Sequence, residues 1–198
     1  MRLQEAKRDY YRRTAKKEGF RSRAAYKLLE INNSYHIIMR GMYVVDLGCA
    51  PGGWLQVASK VVGPDGKVLG IDLRPVDPLP NVQFIQGDLE DNFLAERILD
   101  TMGRKAKVLL SDVAPNISGI WQLDHARQIS LTQVAVSIAE RTLARNGSIV
   151  LKAFEGEMLN ELRDQLKKKF SKVHLYKPRS SRKTSSEMYF VCLGYKGS

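Results

Sequence analysis

The stretch VVDLGCAPGGW, at residues 44–54, constrains the fold of this chain more than any other feature. Two β-branched residues lead into Asp46, and a glycine-rich turn precedes a helix-like run, WLQVASKVV. This order predicts a buried strand, a tight turn and the start of a helix. Because ligands bind outside the carboxyl ends of strands in open α/β sheets, we expect a binding site at this turn. The turn residues that we expect to face the ligand are Gly48, Pro51, Gly52 and Gly53.

The glycine spacing and the acids that follow it indicate the kind of ligand. Dinucleotide-binding folds carry G-x-G-x-x-G, whereas this turn is D-x-G-x-x-P-G-G. Two further predicted strands, 68–73 and 82–88, end at or near Asp72 and Asp88. With Asp46, these acids suit a ligand that has a ribose, an amino group and a positive centre, and S-adenosylmethionine has all three. A nicotinamide site, or a turn without any ligand, is the alternative.

Positive charge is concentrated at the two ends of the chain. Residues 1–30 hold ten Lys and Arg against four acids, and residues 163–198 hold ten against two, whereas the whole chain has a net charge of +11. This pattern favours a polyanionic partner such as a nucleic acid, because neutralising phosphates releases counterions. A merely cationic surface or contact with an anionic membrane is the alternative.

Several classes of protein are disfavoured by the composition. We find no apolar run long enough for a membrane span and no signal-peptide pattern, so we expect a soluble, cytoplasmic, monomeric protein that makes no membrane contact. The two cysteines, Cys49 and Cys192, are expected to be buried apolar residues rather than a disulfide or zinc ligands. The three histidines lack ligand spacing, so no metal site is expected.

The chain is expected to form one α/β domain, residues 21–198, after a basic arm at residues 1–20. The arm has few aliphatic residues and is expected to be mobile, or a helix that a partner orders. The predicted elements after it are a helix at 21–31 with Ser22 as N-cap, the three strands above, a helix at 89–102, a strand at 107–114, a helix at 125–144 capped by Asn146 and Gly147, a strand at 147–154 and a helix at 157–170. The last two strands, 172–177 and 187–195, are joined by a loop too short for a parallel crossover, so we expect an antiparallel pair.

Four ionisable residues stand where packing alone would not place them. Asp112 ends the fourth predicted strand, Lys152 interrupts the fifth, and Glu187 opens the last. Lys27 lies among apolar residues of the first domain helix. In a doubly wound sheet, these strand ends lie beside the glycine turn, so we expect the four side chains to meet. Structural ion pairs without a catalytic role are the alternative.

Such a set of residues suits methyl transfer to a sugar hydroxyl. The hydroxyl is a poor nucleophile, so transfer needs in-line placement and a base for its proton. A lysine serves as that base only if its pKa is lowered. A second ammonium and a sulfonium lower that pKa, while carboxylates hold the lysine in place and oppose part of the shift. Lys152 is the best candidate for the base because a strand interior restricts it most.

The motifs taken together resemble those of the FtsJ/RrmJ (RlmE) family of ribosomal RNA 2′-O-methyltransferases. The resemblance runs from Arg21 to the C-terminus and rests on RSRAAYKL, DLGCAPGGW, GIDL, QGDLED, SDVAPNISG, LKAFEGE and KPRSSRKTSSEMYFV. It implies a Rossmann-like fold that uses S-adenosylmethionine, with helices on both faces of a seven-stranded, mostly parallel sheet whose last strand is antiparallel. Cys49 stands where alanine is common in the family.

The resemblance also implies roles for individual residues. Lys152 would be the proton acceptor, Asp112 and Lys27 would orient the amine and the hydroxyl, and Glu187 would support them from the rim. The cofactor contacts that the resemblance implies are Gly52, Trp54, Asp72, Asp88 and Asp112.

The substrate follows less directly from the sequence. The family members that this chain most resembles methylate a uridine ribose of large-subunit ribosomal RNA, whereas relatives act on the tRNA anticodon loop or on mRNA caps. The short chain favours the first, either as free RNA or as the assembled subunit, bound through the basic arm and the C-terminal basic loop. An inactive RNA-binding module and a small-molecule methyltransferase are alternatives from other classes.

Overall fold

The computed structural model describes residues 2–181 and 185–197, with side chains from Tyr10 onward. Residues 182–184, part of the predicted C-terminal basic loop, lie outside the described residues. The described residues form a seven-stranded sheet with the order β3-β2-β1-β4-β5-β7-β6. The strands are β1 (Tyr43–Leu47), β2 (Lys67–Asp72), β3 (Val82–Gln86), β4 (Ala106–Ser111), β5 (Leu143–Phe154), β6 (Phe170–Tyr176) and β7 (Glu187–Tyr195).

Only β7 runs against its neighbours in this sheet. It pairs antiparallel with both β5 and β6, while β1 to β5 pair in parallel. The antiparallel last pair and the mostly parallel, seven-stranded sheet that the sequence predicted are therefore confirmed. Because β7 begins where β5 ends, Glu187 lies opposite Phe154, and the first residues of β7 lie at the carboxyl ends of β1, β4 and β5.

Helices cover both faces of the sheet, as expected. Within the described residues they are α1 (Arg2–Lys17), α2 (Ala25–Tyr35), α3 (Gly53–Val62), α4 (Leu94–Met102), α5 (Trp121–Thr142) and α6 (Leu159–Lys169). Apolar residues of α2 and α3 form one buried cluster with one face of the strands, and those of α4, α5 and α6 form a second cluster with the other face. The side chains of β1 alternate between the two clusters: Val45 and Leu47 lie in one, Val44 in the other. This alternation follows from the period of two along a strand.

Several sequence predictions about helix ends are wrong; α4 begins at Leu94 and α5 at Trp121, not at residues 89 and 125. Helix α2 begins at Ala25, its N-cap is Ala24, and Ser22 makes no cap, because residues 19–24 instead pack on the glycine turn. Helix α5 ends at Thr142, since the chain enters β5 directly and Leu143 pairs with Ala106. Asn146, with a φ of +61°, therefore lies within β5, in a stretch where the pairing register with β4 shifts.

The basic arm contains a helix that is attached to the domain. The composition of the arm predicts little packing, yet Ala15 is buried and the ring of Tyr11 lies 5.5 Å from that of Tyr26 on α2. The backbone N–H of Phe20 donates to the Ala15 carbonyl, which closes the turn after the helix. Aromatic contacts thus replace the aliphatic residues that α1 lacks. No helix within the described ranges is both long and apolar enough to cross a membrane.

Candidate active site

The glycine turn is shaped by close contacts within the protein. Gly48 and Gly52 have φ values of +69° and +104°, which side chains rarely adopt. A Cβ on Gly48 would lie 2.4 Å from the Val113 side chain, and one on Gly53 would lie 2.3 Å from Ser22 Oγ. The glycines therefore let the segments before α2 and after β4 close around the turn, in addition to any space that they leave for a ligand.

Asp72 fixes the turn from the end of β2. One carboxylate oxygen accepts the Ala50 N–H at 2.8 Å, and the other accepts the Arg74 N–H at 2.9 Å. Each carboxylate oxygen has further lone pairs, so Asp72 can still accept from a hydroxyl of a ribose. Asp88 lies two residues beyond β3 and is exposed, and among the described contacts its carboxylate accepts only the Glu90 N–H, at 3.0 Å.

Asp46 is a buried acid without a hydrogen-bond partner among the described residues. Its side chain lies in β1, it is 1% exposed, and both carboxylate oxygens are unsatisfied. Burial, followed by the charges of Asp112 and Asp72, raises the pKa of Asp46 well above its usual value. Burying a carboxyl group without a hydrogen-bond partner lowers the stability of the fold. A cationic or N–H-bearing ligand beside Asp46 would supply that partner.

The four predicted ionisable residues come together at the carboxyl ends of β4 and β5. Lys152 Nζ lies 2.8 Å from both the carboxylate and the backbone carbonyl oxygen of Asp112, and 3.7 Å from Glu187 Oε2. Lys27 Nζ lies 2.7 and 2.8 Å from the two oxygens of Glu187. Both lysine side chains are buried. Together with Asp112 and Glu187 they form a nearly closed cluster in which two ammonium groups alternate with two carboxylates.

Tyr189 completes this cluster and was not predicted from the sequence. Its hydroxyl donates to Asp112 Oδ1 at 2.6 Å and accepts from Lys27 Nζ at 3.2 Å, while its ring is fully buried. Burial and the charges of Asp112 and Glu187 raise the pKa of Tyr189 well above its usual value. The strand register could have revealed it, because Tyr189 lies directly opposite Lys152.

Asp112 is held in its charged form. Burial alone would raise its pKa, but the ammonium groups of Lys152 and Lys27 and the hydrogen bonds from Lys152 and Tyr189 outweigh burial, so the pKa of Asp112 lies below its usual value. A charged Asp112 remains an acceptor for the Lys152 amine over the neutral pH range.

Surrounding polar residues fix the backbone of the cluster. Gln128 and Thr132 on α5 both donate to the Lys152 carbonyl, at 3.1 and 3.0 Å, and Gln128 also donates to the Val113 carbonyl. Ser181 donates to Glu187 Oε1 at 2.9 Å. Helix α5 and the loop before β7 therefore restrict the cluster from two sides.

Trp54 links the glycine turn to the helix that carries Lys27. The indole N–H donates to the Ala24 carbonyl at 2.8 Å, and the ring lies 5.8 Å from the Tyr189 ring. Trp54 is 3% exposed, so its side chain already has protein partners, and its predicted contact with the cofactor stays a prediction.

Both basic ends of the chain lie near this site. A groove of about 630 Å³ lies between α1 and residues 19–23, and the basic residues that line it are Arg12, Arg13, Lys16, Arg21 and Arg23. From the other end, the backbone N–H groups of Arg179 and Ser180 donate to Glu30 on α2, at 2.6 and 2.9 Å. Helix α2, which carries Lys27, is thus contacted by both basic segments.

The turn suits a methyl donor of the S-adenosylmethionine type. Asp46 offers an unpartnered carboxyl for a positive or N–H group, and Asp72 offers acceptors for ribose hydroxyls. No cluster of metal-binding side chains occurs within residues 2–181 and 185–197. Cys49 and Cys192 are buried free thiols, as predicted, and burial raises the pKa of both.

The sheet order, the reversed last strand and the glycine turn after β1 define a Rossmann-like methyltransferase fold. The chain belongs to the FtsJ-like methyltransferase family, whose model matches residues 20–195. It is 49% identical to the ribosomal RNA large subunit methyltransferase E of Nitrosopumilus maritimus, over the full length of both chains. It is 48% identical to the protein of the same name from Psychrobacter sp., over 92% of this chain and 88% of that one.

A solved structure agrees with this assignment. The fold superposes with a TM-score of 0.82 on a crystal structure described as a ribosomal RNA methyltransferase from Plasmodium falciparum. The two chains are 33% identical, and the match covers 90% of this chain and all of the other.

Proposed function

We propose that this protein transfers the methyl group of S-adenosylmethionine to the ribose 2′-oxygen of a uridine in large-subunit ribosomal RNA. The observation that carries the proposal is the cluster of Lys27, Asp112, Lys152 and Glu187 beside a turn with an unpartnered buried carboxyl. The names of the two relatives, which match 100% and 92% of the chain at 49% and 48% identity, support ribosomal RNA as the substrate.

The roles of the side chains follow from their contacts. When bound, S-adenosylmethionine supplies an electrophilic methyl group on a sulfonium. Transfer of that group to the ribose oxygen would leave the thioether behind and release the hydroxyl proton, and Lys152 would accept this proton once its ammonium had lost one to solvent. Asp112 fixes that amine through its carboxylate and its carbonyl, both at 2.8 Å. The resulting ammonium lies between Asp112 and Glu187, which stabilise its charge.

Lys27 serves to orient the acceptor hydroxyl. Its ammonium is held by Glu187 and Tyr189 and is 7% exposed, so it keeps little freedom to move. An ammonium in this position donates to the hydroxyl oxygen and leaves the hydroxyl proton directed at the base. Correct alignment of this kind supplies much of the rate of a group transfer.

The basic groove beside α1 and the basic residues near Arg179 supply contacts to phosphates. Phosphate neutralisation by Lys and Arg accounts for most affinity that is independent of sequence. Tyr10, Tyr11, Tyr26 and Phe20 form a chain of ring contacts at 5.5 to 5.6 Å next to this groove. Of these rings, Tyr10 is 63% exposed and available to a base.

The decisive experiment offers labelled S-adenosylmethionine and three substrates from cells that lack this protein: large ribosomal subunits, naked large-subunit RNA and bulk tRNA. We expect label on the subunit or its RNA, at a ribose 2′-oxygen of a uridine. Label on tRNA alone would keep the mechanism and move the substrate to the anticodon loop. Absence of transfer to every RNA, with cofactor binding retained, would instead favour the small-molecule or inactive alternatives.

A further inference from the structure

An exposed apolar ridge begins five residues after Asp112. The loop between β4 and α5 and the first turn of the helix carry apolar side chains in solvent, and their exposed fractions are 66% for Ile117, 60% for Ile120, 48% for Trp121 and 38% for Leu123. We call residues 117–123 the apolar ridge. The chemistry derived above uses none of these side chains.

The ridge is rigidly held from below. Asp124 is buried and accepts the Ser118 N–H at 2.8 Å, the Ser118 hydroxyl at 2.7 Å and the Gly119 N–H at 3.1 Å. A carboxylate that takes three such bonds fixes the loop on the helix. The ridge is therefore a preformed surface rather than a loose loop.

Trp121 is connected to the strand that carries Lys152. Its ring is parallel to that of His125, with an angle of 15° and centroids 6.2 Å apart. His125 in turn accepts the Met158 N–H at 3.3 Å, and its ring fills the space where Gly156 lacks a Cβ. Gly156 follows Lys152 by four residues, which limits their Cα separation to about 14 Å.

We propose that Trp121 stacks on a nucleobase of the RNA, at or next to the nucleotide whose ribose is methylated. This inference rests on the proposed function. Lys152 is 7% exposed, so a ribose reaches it only if its nucleotide leaves the stack of its neighbours. Enzymes that take a nucleotide out of a stack replace the lost contacts with aromatic side chains beside the site.

Shape and charge favour a base over a protein partner. The ridge presents four large apolar side chains at one helix end, whereas a stable protein interface uses about 20–30 residues of each partner. The charged side chains of the surrounding residues 113–130 are Asp124, which is buried, and Arg127, which is exposed. The charge that the segment exposes is thus positive, which complements a phosphate backbone.

The chain allows a direct test, because it has two tryptophans and only Trp121 is exposed; Trp54 is 3% exposed. A short single-stranded RNA should quench the Trp121 fluorescence and protect it from acrylamide. An abasic ribose-phosphate strand of the same length should bind through charge and leave the fluorescence unchanged. Equal quenching by both strands, or by neither, would overturn the proposal.

Variants separate stacking from general apolar contact. Trp121→Leu should raise the KM for RNA about tenfold, because the stacking of one base is lost. Trp121→Phe keeps an aromatic ring, so it should restore most of the affinity. Cofactor binding should stay unchanged in both variants. If wild type methylates RNA and Trp121→Leu matches it, stacking is refuted while the proposed function stands. If wild type transfers no methyl group but its fluorescence still responds only to strands with bases, stacking stands and the proposed function fails.

Discussion

The amine of Lys152 is held by Asp112 and lies close to Glu187, and this geometry suits a proton acceptor. Replacing Lys152 with Ala should lower methyl transfer at least about a hundredfold, the usual contribution of a general base, and leave the affinity for the cofactor unchanged. Single-turnover transfer and equilibrium cofactor binding measure the two effects. Lys60→Ala, at an exposed position of α3 outside the two basic ends, is the matched control and should behave as wild type. Turnover at the wild-type rate in Lys152→Ala would remove this residue from the mechanism.

The Tyr189 hydroxyl connects Asp112 with Lys27, so its loss should affect both stability and rate. Tyr189→Phe leaves the ring in place but removes one donor and one acceptor, and we expect a loss of about 1–3 kcal/mol in the free energy of unfolding, with a lower kcat. Denaturant unfolding and steady-state kinetics measure these changes. Tyr195→Phe is the control, because that buried tyrosine on the same strand makes only a long 3.4 Å hydrogen bond. Equal effects of both substitutions would argue against a special role for Tyr189.

The raised pKa of Asp46 predicts a pH dependence for cofactor binding. A positive group beside Asp46 favours its charged form, so binding releases a proton whenever the free protein holds one. The affinity for S-adenosylmethionine should therefore rise with pH until the pH exceeds the raised pKa of Asp46 in the free protein. Calorimetry in two buffers of different ionisation enthalpy would detect the proton. In Asp46→Asn the slope should disappear; a slope that persists there would assign the proton to another group.

At the level of elements, α1 and α2 form one side of the RNA surface. Lys16→Ala with Lys17→Ala, in the last turn of α1, should weaken RNA binding and lower the slope of log affinity against log salt by about 1 to 2, according to how many phosphates these residues contact. The control is Lys60→Ala with Lys105→Ala, which removes the same charge from exposed positions outside the two basic ends. A slope that changes equally in both double variants would mean that α1 makes no specific phosphate contact.

The elements also show what the sequence could and could not predict. Asp112 and Lys152 could be placed because the carboxyl ends of neighbouring parallel strands share one edge of the sheet, and Glu187 because the antiparallel last strand begins at that edge; Lys27 lies on α2, so strand order does not place it. Tyr189 was missed because it stands in an apolar strand, where an aromatic residue is expected to be core. The C-terminal end of α5 was misplaced because Asn146 and Gly147 suggest a helix cap, whereas strand pairing at Leu143 had already ended the helix. Local signals thus failed where tertiary pairing decided the outcome.

At the scale of the whole molecule, cofactor binding should stabilise the fold through the centre of the sheet. A ligand at one hundred times its Kd adds about 2.7 kcal/mol to the free energy of unfolding, which for a chain of this size raises the Tm by about 5–10 °C. Thermal scans with and without S-adenosylmethionine measure this shift. Asp46→Asn should reduce it, while Lys152→Ala should keep it. A full shift in Asp46→Asn would show that this carboxyl makes no contribution to the binding of the donor.

The pair of Lys27 and Glu187 joins positions 160 residues apart, and β7 lies between two strands that precede it in the chain. Until β7 has been synthesised, β5 therefore lacks its antiparallel neighbour, and Lys27 lacks the carboxylate of Glu187. The catalytic cluster is complete only when β7 has been synthesised and has paired in the sheet. We expect nascent or prematurely terminated chains to transfer no methyl group to RNA, so that only chains that contain β7 modify a substrate. Methyl transfer by a chain that stops after residue 186 would refute this.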